Sequence, residues 1–66
     1  MSMEWVRKTY GVPAKRGGRI IYTGSSEPEY GTIVGTRSGR LLIRLDGMKY
    51  THPLPFHPTY ELRYLA

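Results

Sequence analysis

The chain has 66 residues, and its ten lysines and arginines against five acids give a formal charge of +5. It contains no cysteine, which excludes disulfides and thiolate metal sites, and one domain of this length folds near the lower limit for an unstapled core. No run approaches the ~18 apolar residues of a membrane span, and Met1 to Tyr10 carries charge where a secretory leader would be apolar, so a cytoplasmic setting is expected.

Met1 to Tyr10 mixes Trp5 and Val6 with Arg7 and Lys8 and reads as a short first strand or an arm packing Trp5 on the body. Pro13 in Gly11-Val12-Pro13-Ala14 favours an extended entry. Lys15-Arg16-Gly17-Gly18 then reads as a basic turn, a better account of Arg16-Gly17-Gly18-Arg19 than an RNA-binding RGG segment. Nowhere does the pattern predict a helix.

Arg19 to Thr23 reads as a strand with Ile20 and Tyr22 on one face and Arg19, Ile21 and Thr23 on the other. Gly24 to Glu29 is a polar loop by composition. Tyr30 to Thr36 reads as a second strand with Ile33 as its core residue. Thr36 to Arg40 forms a hairpin turn that places Gly39 at positive φ. Leu41 to Asp46 alternates clearly, Leu41, Ile43 and Leu45 against Leu42 and Arg44, and Asp46-Gly47 ends it.

A fourth strand is expected at Met48 to His52. Pro53, Pro55 and Pro58 would keep Pro53 to Pro58 off any ladder, on the surface or as a cap. His57 to Tyr60 reads as one 3₁₀ turn leading into a last strand, Glu61 to Leu65, with Leu62 and Tyr64 sharing a face. Tyr22, Tyr60 and Tyr64 are expected in or around the core, and Leu42 beneath the N-terminal arm.

This order of strands, glycine-punctuated loops and a late 3₁₀ turn resembles the SH3-like barrel. The expected fold is therefore all-β, a small SH3-like barrel of about five strands. Lys15-Arg16-Gly17, Gly31-Thr32-Ile33-Val34 and the alternation of Leu41 to Leu45 are similar to the KOW motif of ribosomal and transcription-elongation proteins. Gly18, where KOW sequences often carry an acid, and the Gly24–Glu29 loop depart from it. Gly11 to Gly17 with His57 to Leu65 looks like short proteins of bacteriophages and prophages that have no assigned activity. The first resemblance implies binding of RNA or protein, and the second a bacterial viral setting.

Seven of the ten cations are arginine, whose planar fork suits phosphate and stacks on bases. Arg7, Lys8, Lys15, Arg16 and Arg19 form the leading candidate nucleic-acid site, with Arg37 and Arg40 added from the hairpin tip. Tyr10, Tyr30 and Tyr50 are candidate stacking groups, or an aromatic cage. A solvated basic rim accounts for the same cations equally well.

His52 and His57 lack a third metal ligand of suitable type, and His57 reads as a structural histidine in its turn. No nucleophile motif or acid–base pair is recognisable, so neither enzyme activity nor a cofactor is expected. Two functions remain open. One is a phosphate-directed nucleic-acid-binding module, with a weak homodimer allowed; the other is an accessory protein docking on an acidic host or viral protein.

Overall fold

A computed structural model describes residues 2–47 and 52–65. The elements are one helix, α1 (Met3–Tyr10), and five strands, β1 (Arg19–Tyr22), β2 (Glu29–Arg37), β3 (Arg40–Leu45), β4 (Leu54–Phe56) and β5 (Leu62–Tyr64). All pairings are antiparallel, and the sheet order is β4-β3-β2-β1-β5. The chain is thus all-β apart from one short helix, a small barrel-like sheet of five strands in which β5 returns beside β1.

The alternation in β3 sets the inner face. Leu41, Ile43 and Leu45 are buried with Ile20 of β1 and Ile33 of β2, while Val6 and Ala14 complete the core from outside the sheet. Leu62 and Tyr64 pack against this cluster, as do Tyr22 and Phe56. The sheet curves strongly: β1 and β4 are separated by β2 and β3, which in a flat sheet would place them ~14 Å apart. The inward rings of Tyr22 and Phe56 nevertheless meet with centroids 5.1 Å apart. The sheet therefore folds over itself in the manner of a small barrel.

Glycine permits part of that bend. A Cβ on Gly31 would stand 2.9 Å from Ile43 Cγ2 and 3.0 Å from the Arg44 carbonyl oxygen. The β2–β3 register also slips between Ile33 and Gly35, and such a bulge increases local twist. The β2–β3 hairpin turns through Ser38 and Gly39 at φ 50 and 81, the paired positive values of a type I′ turn.

The first ten residues correct the sequence reading, since α1 stands where a strand or arm was expected. Ser2 caps it, its Oγ accepting from the Trp5 amide at 3.1 Å. Glu4 and Lys8 pair at 3.0 Å one turn apart. Gly11 ends it at φ 65, with its amide donating to the Arg7 carbonyl at 2.9 Å. These are ordinary start and stop signals, and Pro13 lies beyond the stop. Val6 carries the helix into the core, on the side of the sheet opposite Leu42, so Leu42 is not covered by this segment.

Two further corrections concern the C-terminal third. Leu54–Phe56 joins the sheet as β4 despite its proline, because β4 is an edge and Pro55, opposite Leu42, need not donate to a further strand. Of the fourth strand expected at Met48 to His52, residues 48–51 lie outside the described set and His52 is a bend. His57 to Tyr60 is a turn closed by one i→i+3 bond of 3.4 Å. Glu61 follows at φ 57, so extended structure begins only at Leu62, and Tyr60 points outward at 67% exposure instead of joining the core.

The glycines give a direct test of the packing. Gly31→Ala is expected to lose about 1–3 kcal/mol in urea denaturation through overpacking. Gly35→Ala, whose Cβ would meet only Leu42 Cδ1 at 3.8 Å, is expected to be neutral or stabilising by up to ~1 kcal/mol. Equal losses at the two positions would contradict this packing.

Candidate nucleic-acid interface

The basic loop before β1 is tied to β2 through its backbone. The Gly17 amide donates to the Ile33 carbonyl at 2.7 Å, and the Ile33 amide donates to the Gly18 carbonyl at 2.9 Å. Gly17 takes φ 85, so Arg16-Gly17-Gly18-Arg19 is a turn entering a strand, as its sequence suggested. These bonds hold Arg16 alongside the middle of β2, while the Gly18 amide donates to the Lys15 carbonyl at 2.9 Å. Arg16 then donates from Nη1 to the Val34 carbonyl at 3.0 Å, which leaves other guanidinium donors open.

At the hairpin tip, Arg37 and Arg40 are direct cross-strand partners. Like charges in that position destabilise a ladder. Neither side chain has a described ion-pair or hydrogen-bond partner, and both are exposed. Arg37 lies three residues beyond Val34, ~10 Å along the strand. Arg37 and Arg40 thus stand at the hairpin end of β2, and Arg16 stands beside its middle.

The other cations of the expected cluster are placed differently. Arg7 donates to the Ala14 carbonyl at 2.8 Å and closes the loop after α1. Lys8 is paired to Glu4 on the helix. Arg19 faces outward from β1 and grips Asp46 with two bonds of 2.9 and 2.6 Å, while also donating to Thr32 Oγ1 at 2.7 Å. The Arg19 hydrogen bonds hold the Asp46 carboxyl below its ordinary range. This tie fixes the end of β3 to β1 across β2.

Acids collect at the opposite end of β2. Glu29 begins the strand opposite Tyr22, Glu27 lies in the preceding loop, and the Glu61 carbonyl accepts from the Thr23 amide at 2.8 Å. A hydrogen bond to Glu61 raises the Tyr60 phenol above its usual value. β2 is nine residues long, up to roughly 25 Å of extended chain, against a Debye length of about 8 Å at physiological salt. The free cations at the hairpin end are therefore screened from these acids.

Of the aromatic candidates, Tyr10 and Tyr30 lie on different faces. Tyr10 packs against the core and meets Trp5 and His57 edge-on, with ring centroids 6.0 and 5.2 Å apart. Tyr30 lies on the outer face opposite Ile21, half exposed, and Tyr50 falls outside the described residues. His57 is held in its turn, as expected, its Nδ1 accepting from the Thr59 amide at 3.1 Å.

An open groove of about 580 Å³ lies between the loop after α1 and the end of β5, lined by Arg7, Pro13, Ala14, Lys15, Tyr64 and Leu65. The Tyr64 hydroxyl donates to the Pro58 carbonyl at 2.6 Å, and burial pushes its pKa up to about 12. Sequence reasoning missed the groove because it depends on α1 and on β5 returning beside β1. The Leu65 amide donating to the Arg19 carbonyl at 3.0 Å sets that position.

Comparison with known proteins adds no constraint: no family model, no curated protein and no solved structure matches this chain.

The Arg19–Asp46 tie has a definite pH signature. A carboxyl whose folded pKa is depressed stabilises the fold above its unfolded value, near 3.9, and that contribution disappears as pH falls through the folded pKa. Thermal melts of Asp46→Asn are expected to show a lower Tm than the parent at pH 7, with the gap closing as pH falls below about 4. A gap independent of pH would show that the pair does not act through charge.

Proposed function

We propose that this protein is a small nucleic-acid-binding module that grips the phosphate backbone with Lys15, Arg16, Arg37 and Arg40. The observation that carries the reading is the hairpin tip, where Arg37 and Arg40 sit directly opposite one another with no described partner. A fold that sets two guanidinium groups side by side at an exposed tip carries repulsion that a phosphate relieves. Arg16, held to β2, presents a further fork from the neighbouring loop. Arg7, Lys8 and Arg19 serve the fold first and contribute background charge. The resemblance to KOW modules and to bacteriophage proteins is compatible with this reading and adds no residue to it.

Binding through these four cations is dominated by counterion release. The slope of log K against log salt is expected between about −2.8 and −3.6, and Arg37→Ala/Arg40→Ala is expected to reduce it by about 1.4–1.8. Fluorescence titration of labelled DNA and RNA oligonucleotides at several salt concentrations measures both values. Absence of binding at low salt, or a slope unchanged by the double substitution, would refute the proposal. Recovery of an acidic protein partner in its place would favour the docking alternative.

A further inference from the structure

The groove between the loop after α1 and the end of β5 has the chemistry of a nucleotide site. Pro13, Ala14 and Leu65 supply apolar wall, together with the ring of Tyr64, which its bond to Pro58 holds in place. Arg7 and Lys15 supply positive charge on its border. The Lys15 side chain has no described partner, and it adjoins Arg16 of the phosphate-gripping set in sequence. The volume of about 580 Å³ falls within the ~300–1,000 Å³ of small-ligand sites. A second depression, lined by Thr32, Arg44, Leu45 and Asp46, has a carboxylate in its wall and suits an anion poorly.

We infer that the groove receives one unpaired base of a single-stranded nucleic acid, with an adjoining phosphate on Lys15. The inference rests on the nucleic-acid reading above and narrows it to strands with accessible bases. A paired base has its faces covered by its neighbours in the stack and cannot enter an apolar groove on the flank of the domain. An unpaired base enters without breaking a pair, and its contact with ring and aliphatic carbon is tolerant of sequence. Leu65 is the residue to change, because its side chain is 38% exposed while its backbone amide holds the sheet.

The test compares single-stranded DNA, single-stranded RNA and a duplex of equal length by fluorescence anisotropy, with parent protein and with Leu65→Ser. Single strands are expected to bind about fivefold or more tighter than duplex. Leu65→Ser is expected to remove about fivefold of single-strand affinity and leave duplex affinity within about twofold. Photocrosslinking of a 5-iodouracil strand to the parent protein, mapped by mass spectrometry, needs no variant and is expected to mark residues 13–15 or 64–65. Equal, salt-dependent binding of single strand and duplex, or crosslinks confined to other segments, would overturn the groove assignment and leave the phosphate grip standing. Failure of every oligonucleotide to bind at low salt would overturn both.

Discussion

Everything else in this molecule follows from the need to bury an adequate core with 66 residues. A flat five-stranded sheet of these short strands would leave its apolar stripe facing water. The chain instead bends the sheet until the side chains of β1 and β4 touch, the Tyr22–Phe56 contact of 5.1 Å. Gly31 permits close approach of β3, and the slip between Ile33 and Gly35 adds twist. Helix α1 then closes the opening with a single buried residue, Val6. With each buried side chain contributing about 1.5–3 kcal/mol, the loss of one is a large share of the few kcal/mol such domains possess.

Curvature also sorts the charges. Strand β2 runs the length of the sheet and neighbours both β1 and β3, so its ends define two poles. The loop before β1 is held at the middle of β2 by the Gly17 and Gly18 bonds to Ile33, and the hairpin carries Arg37 and Arg40 at one end of the strand. Glu27, Glu29 and Glu61 are delivered to the other by the β1–β2 loop and the start of β5. Net charge alone would describe a uniformly basic surface. The backbone pairings turn it into a directional one, and an extended anion meeting it is oriented before any specific contact forms.

The legible parts of the sequence were those where period and turn chemistry act locally. Leu41, Ile43 and Leu45 alternate without ambiguity, and Gly39 announces its turn, so β3 and the hairpin were readable to within a residue. Ser2, the Glu4–Lys8 spacing and Gly11 carried the helix signal equally openly. It was overlooked because an eight-residue helix with one fully buried side chain has a thin apolar stripe and draws its stability from capping and docking. Strand β4 was illegible for a different reason: a proline in a strand is tolerated only at an edge, and edge position is a property of the whole sheet.

The candidate site divides along the same line. That Arg37 and Arg40 share a hairpin tip was visible in the spacing around Gly39. That Arg19 belongs to Asp46, 27 residues away in sequence, was not, because the pairing arises only when β3 and β1 flank β2. This long-range tie explains why a count of cations overstates what the surface offers to a ligand. Arginines fixed across strands hold the frame rigid, and those at the tip and the preceding loop project from it. A guanidinium pair held on a rigid hairpin loses less conformational freedom on meeting a phosphate than the same pair on a flexible tail. On the proposed reading, the Arg19–Asp46 tie stabilises the sheet that carries the hairpin and makes no contact with the phosphate itself.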